Sequence, residues 1–154
     1  MYDNFNNNPL SHASPFARIM EQGKVKSLTP AGVRTLTAQQ REQAKKIGVS
    51  IIEMKDFNTA FMQRLSSPLY ISLDLDVLDP AFAPGISHHE PGGLSSRELI
   101  QLIQQINVPI AGADLVEYNL TRDINDTTAM LAYKLLKELI SKMMANVILS
   151  THDI

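Results

Sequence analysis

The amino-acid sequence predicts an α/β fold, with three α/β/α layers built around a mainly parallel sheet. Three observations predict it. Segments of strand and helix character alternate along the chain, which favours parallel pairing with helices on both faces. The strand candidates are continuous apolar runs, as burial on both faces requires. No internal repeat or linker-like stretch breaks the 154 residues. One α/β domain over residues 1–154 is therefore expected, long enough for a sizeable core.

In chain order, Tyr2–Ser11, with four asparagines and a proline, reads as loop. Ser14 and Pro15 suit the N-cap and first position of a helix carrying Phe16, Ile19 and Met20, and Gly23 closes it. A short strand is expected over Gly32–Leu36. Thr37 caps a helix over Ala38–Ile47 that ends at Gly48. Val49–Met54 reads as a strand and Phe57–Leu65 as a helix. Leu69–Asp74 is a strongly apolar strand, followed by a loop rich in proline and glycine. Ser95 or Ser96 caps a helix reaching about Ile106, with Arg97 and Glu98 on its outer face. Pro109–Val116 is the next strand, and Asp123–Asn146 the longest helix. The seven methionines sit at helical positions and read as core filler.

Composition excludes several classes of function. The formal net charge is -2 and the pI is near 6.1. With no basic tract, nucleic acid and membrane surfaces have no electrostatic attraction to this chain. The absence of cysteine excludes disulfide frameworks and thiolate zinc sites. No apolar run approaches the roughly 20 residues that span a bilayer. The polar start, Met1–Pro9, lacks the regions of a signal peptide, so a cytoplasmic protein is expected.

Ligands in parallel sheets bind beyond the carboxyl ends of strands. The strongest polar cluster stands in such a place. Ser72-Leu73-Asp74-Leu75-Asp76-Val77-Leu78-Asp79-Pro80 runs an apolar strand directly into three carboxylates. On an extended chain Asp74 and Asp76 would point to the same side. Their repulsion would raise each other's pKa unless a cation lay between them. Ions such as Mn²⁺ and Mg²⁺ favour carboxylate oxygens. A bare pair of this kind is also compatible with a solvated acidic turn. Here Pro80, Pro84, Gly85, Pro91, Gly92 and Gly93 come after it, and a fixed pair beside a stiff loop favours the metal site.

The run Ser72–Gly85, with Gly92-Gly93-Leu94 beyond it, resembles the signature of the ureohydrolases, the arginases and agmatinases, in its agmatinase-like form. A second match is Ala111-Gly112-Ala113-Asp114-Leu115-Val116-Glu117-Tyr118-Asn119, and a third is Asn8-Pro9-Leu10-Ser11-His12. Together they cover nearly the whole chain. The resemblance implies an arginase-like fold and a centre of two Mn²⁺ ions that activates water for attack on a guanidinium carbon, releasing urea. It implies Asp74 and Asp76 as metal ligands. Glu117 would hold the substrate's guanidinium, a planar cation suited to a carboxylate. His12 would shuttle protons, a task that suits an imidazole of pKa about 6.5. A small guanidino substrate and a homo-oligomer are also implied.

Bland readings stand beside these. Glu117 suits a solvated strand end, His12 a loop contact, and Asp114 a structural role. Arg122 and Asp123 could pair or cap the last helix. His88 and His89 could be exposed loop residues, or Glu90 or a histidine could read a polar substrate tail, a role expected of His88. His152 stands at the terminus.

The sequence also departs from the family pattern. Its Gly-Gly-Asp-His and Asp-x-His-x-Asp ligand segments do not occur, and no histidine here matches a ligand position. The opening Met1-Tyr2-Asp3-Asn4-Phe5 resembles the family stretch directly after the second of those segments. The chain is therefore expected to be truncated on its N-terminal side, without the family's first strands. Two functions are consistent with this: a linear-amidine hydrolase of agmatinase type, or a degenerate, non-catalytic ureohydrolase-like domain. A metal-dependent relative acting on another guanidino compound is the third.

Overall fold

The structure is a computed structural model describing residues 5–150, with only the helical backbone for 146–150. The loop over residues 2–4 and the terminal placement of His152 lie outside the described residues. The chain divides into two compact units, Met1–Phe57 and Asn58–Ile154.

In the first unit, helix α1 spans Pro15–Glu21, with Pro15 at its start. Ser14 does not cap it: the Ser14 hydroxyl is buried with no hydrogen-bond partner, while its backbone N–H donates to Ser11. Gly23 comes next at φ 63°, a conformation glycine takes without penalty. Strand β1, Ala31–Val33, pairs in parallel with β2, Ile52–Glu53. Between them lies α2, Ala38–Lys46. Thr37 and Gln40 form a capping box there, each side chain accepting from the other's backbone N–H. The expected strand over Val49–Met54 shrinks to β2 for two local reasons. The Val49 N–H is spent on Ala44 at the helix end, and Met54–Asp56 close a 3-10 turn. Arg41 and Glu53 make a two-pronged ion pair across this unit, and the arginine holds the glutamate's carboxyl at about 2.

The second unit begins with a 3-10 helix over Thr59–Arg64, where the sequence suggests an α-helix over Phe57–Leu65. Asn58 caps Ala60, and Leu65 is already extended ahead of Ser66-Ser67-Pro68, which leaves no room for a longer helix. Strand β3, Leu69–Asp74, pairs in parallel with β4, Ile110–Val116. Helix α3, Ser96–Gln104, starts from a second capping box, between Ser95 and Glu98. Both strand pairs are parallel, as the alternating pattern predicts, and they form separate two-stranded sheets among the described residues. Leu73, Leu75, Leu78, Ile86, Leu99, Ile103, Leu135 and Leu139 are buried in this unit. No helix among the described residues is long and apolar enough to cross a membrane.

Helix α4 runs from Thr127 to Ser150, not from Asp123. Asn125 and Asp126 take φ values of 50° and 56°, outside the right-handed helical region. Asp123 instead serves the helix from outside. Its carboxylate accepts from the N–H groups of Thr128 and Ala129 at 2.9 Å each, and from the Tyr118 hydroxyl. Desolvation pushes this carboxyl up, but those N–H groups and the Thr128 and Tyr118 hydroxyls outweigh it and hold the pKa at about 2. Replacing Asp123 with alanine is expected to cost about 1–2 kcal/mol. Because the folded value is depressed below the ordinary 3.8, this contribution is complete above roughly pH 4 and fades as pH falls through about 2. Chemical unfolding of parent and variant checks it: a clear difference near neutral pH should shrink in strong acid.

Candidate metal centre

Two neighbouring parallel strands deliver the acidic residues to one end of their sheet. Asp74 closes β3 and lies in register with Val116, the last residue of β4. Glu117 is the residue after it. Parallel pairing puts both carboxyl ends on the same side, where open α/β sheets bind ligands. The path after β3 differs from the extended one that the Asp74–Asp76 spacing suggests. Asp74 Oδ1 accepts the Asp76 N–H at 2.9 Å, closing a 3-10 turn over Leu75–Val77. Asp76 therefore reaches the site from a turn. Buried Leu75 and Leu78 anchor that turn in the core.

Asp76 meets residues from two other segments. One ligand atom each from Asp76, His88 and Glu117 falls within 4.8 Å of the others. His88 Nδ1 lies 2.6 Å from Asp76 Oδ2, and the His88 backbone N–H donates to Asp76 Oδ1 at 3.2 Å. Glu117 takes φ 67°, a left-handed conformation uncommon for a side chain of its kind. That conformation turns the chain away from the strand at the residue that joins the cluster.

The loop carrying His88 is held along its length. Asp79 starts it by accepting from Ala81 and, at 2.7 Å, from the Gly92 N–H on its far side. Ile86 bridges to Tyr118, and the Gly85 carbonyl accepts from the Asn119 N–H at 2.8 Å. Arg122 donates to the Ser87 carbonyl at 2.8 Å. His89 Nε2 lies 2.8 Å from the Pro84 carbonyl, so that nitrogen carries a proton. At the base of the loop, the Gly85 N–H donates to buried Thr128 Oγ1 at 2.7 Å. The proline and glycine content predicts a stiff loop, and these bonds supply the stiffness.

Electrostatics make the site a place for positive charge. Desolvation pushes the Asp74 carboxyl up to about 6, with the charges of Asp76 and Glu117 adding to the rise. The Asp76 N–H and His88 act in the opposite direction. Asp74 still has exposed surface. Water reaches one side of the group while protein crowds the rest, and that crowding is the largest cause of the rise. A carboxylate in this state gains from taking up a proton or a cation. The carboxylate oxygens of Asp74 and Asp76 suit a divalent ion of the Mn²⁺ type.

Other predicted residues make contacts of a different kind. His12 belongs to the first unit, exposed, with its ring edge-on to Phe5 at 6.3 Å between centroids. Asp114 is structural, accepting from Ser72 Oγ at 2.7 Å and from the Tyr70 hydroxyl at 3.0 Å. Arg122 and Asp123 do not pair with each other: one holds Ser87 and the other the start of α4. The contact of His88 with Asp76 has no counterpart in the sequence pattern, from which His88 takes a substrate role. A histidine twelve positions beyond the aspartate, across a proline- and glycine-rich loop, is the only trace of it in the sequence.

Comparison with known proteins identifies the family. The arginase family model matches residues 1–141. The chain belongs to the arginase family. The mitochondrial arginase of Medicago truncatula is 45% identical over 151 residues, covering 93% of this chain and 45% of its own. The agmatinase of Bacillus cereus is 31% identical over 144 residues, covering 90% and 50%. Among solved structures, the Medicago truncatula arginase matches with TM-score 0.79 at 44% identity, over 92% of this chain and 48% of that one. The proclavaminate amidino hydrolase of Streptomyces clavuligerus matches with TM-score 0.82 at 26% identity, over 91% and 51%. A Mn²⁺-bound arginase-like protein mutant of T. brucei matches with TM-score 0.76 at 31% identity, over 84% and 46%. The chain thus spans about half the length of the relatives it matches. Its fold is the α/β fold of those relatives.

Proposed function

We propose that this chain carries part of the catalytic site of a manganese-dependent ureohydrolase, which cleaves a linear amidine or guanidino compound and releases urea. The observation that carries the reading is the meeting of Asp76, His88 and Glu117 at the carboxyl end of β3 and β4, in a chain of the arginase family. Asp74 and Asp76 would hold the metal, of which the complete family centre has two ions. Such ions lower the pKa of bound water, so that a nucleophile exists near neutral pH. Glu117 would bind the guanidinium of the substrate, orienting it by charge-assisted hydrogen bonds. His88 would face the substrate's polar tail, and His12 would carry protons from its loop. A homo-oligomer belongs to the same reading.

The test is urea release from arginine, agmatine and other guanidino compounds, with and without Mn²⁺. Relatives named arginase and agmatinase both match, so both substrates are needed. Urea formed only with Mn²⁺ is the expected result. Mn²⁺ uptake without urea from any of the compounds would instead assign a degenerate domain that keeps the cation and has lost the reaction.

A further inference from the structure

His88 grips Asp76 at two points. Its backbone N–H reaches Oδ1 at 3.2 Å and its ring Nδ1 lies 2.6 Å from Oδ2. One loop residue therefore engages both oxygens of a carboxylate that is only 16% exposed, while its own side chain is 74% exposed. The ring is not wedged there by a core. Its position is set by the carboxylate and by a backbone fixed on either side: Arg122 holds the Ser87 carbonyl, and the His88 carbonyl accepts from the Glu90 N–H at 2.9 Å.

An ionised carboxylate offers about four acceptor positions on its two oxygens. The two hydrogen bonds from His88 take one such position on each oxygen. They also remove rotamer freedom that Asp76 would otherwise lose on binding the ion. Carboxylates that ligate metals are commonly held this way by neighbouring donors. We infer that His88 is a positioning residue, whose Nδ1–H and backbone N–H lock Asp76 in the orientation that receives the divalent cation. The inference rests on reading Asp76 as a ligand. It differs from a substrate-reading role for His88, because it acts before any substrate is present.

The experiment is a Mn²⁺ titration of the full chain, monitored by the electron paramagnetic resonance of the free ion, for the parent and for His88→Ala, His88→Asn and Asp76→Asn. Melting temperature without metal is recorded alongside, and His88→Ala should leave it unchanged because the ring is exposed. His88→Ala is expected to weaken Mn²⁺ binding by about 10–100-fold. His88→Asn, whose amide N–H can stand where Nδ1–H stands, should bind within a few-fold of the parent. Parent-like affinity in His88→Ala, with Asp76→Asn weakened, would overturn the positioning role and leave the ligand reading standing. Equal losses in His88→Ala and His88→Asn would also overturn it, making the imidazole itself a ligand. Tighter binding in His88→Ala would do the same, making His88 a plug. Unchanged binding in Asp76→Asn, or no uptake by the parent, would remove the ligand reading and this inference together.

Discussion

Asp76→Asn is expected to weaken Mn²⁺ binding beyond the roughly 10–100-fold that a supporting residue costs. The reason is the loss of a charge, not of shape. The amide keeps one oxygen for the His88 donors, but the site loses a negative ligand beside Asp74 and Glu117. The same change should lower the Asp74 pKa, since the Asp76 charge is one of the forces raising it. Asp114→Asn is the matched control. That carboxylate is bonded to Ser72 and Tyr70, so its loss should leave Mn²⁺ affinity as it was. A titration of free Mn²⁺ against both variants reads the contrast, and equal affinities would remove Asp76 from the site.

Gly85→Ala should carry the largest cost in stability of any single methyl group added to the loop. A Cβ at Gly85 would stand 2.8 Å from Asp123 Cβ and 2.9 Å from both Asp123 Cγ and Thr128 Cβ. None of these atoms is the free end of a flexible side chain. Asp123 is tied by its hydrogen bonds to the first turn of α4, and Thr128 is fully buried. Relieving the clash means displacing the helix start or lifting the loop, and the Gly85 N–H would then lose Thr128 Oγ1. Overpacking of this kind costs about 1–3 kcal/mol. For a unit of this size that is on the order of 4–8 °C in melting temperature per kcal/mol. The loop also carries His88, so Mn²⁺ affinity should fall with stability. Thermal unfolding monitored by circular dichroism checks the first effect. A variant melting with the parent would mean that the loop base yields without strain.

The parts of this fold that local chemistry dictates were legible in the sequence. Strand β3 was readable because a continuous apolar run meets Asp74, and α2 and α3 because Thr37 and a serine at 95 or 96 read as their caps, although the return bonds from Gln40 and Glu98 that complete two capping boxes emerged only in the fold. What failed depended on contacts between distant segments or on backbone conformations that side chains do not advertise. Asn125 and Asp126 in left-handed conformations delay α4 by four residues. The 3-10 turn that carries Asp76 depends on one side-chain bond from Asp74. The positive φ of Glu117 has no sequence signal, because glutamate does not favour it. The need for glycine at position 85 comes from Asp123 and Thr128, some forty residues on. Asp74, Asp76 and Glu117 were found as candidates through the strand-end pattern and the family signature. The grip of His88 on Asp76 required the folded loop.

Where Mn²⁺ sits on this chain decides most directly whether Asp74 and Asp76 are metal ligands. Crystals grown with Mn²⁺ and measured at the manganese absorption edge locate the ion by its own scattering. The expected result is a peak bonded to Asp74 and Asp76, with His88 still hydrogen-bonded to Asp76. Manganese found only at other residues, with both aspartates carrying nothing but water, would contradict it.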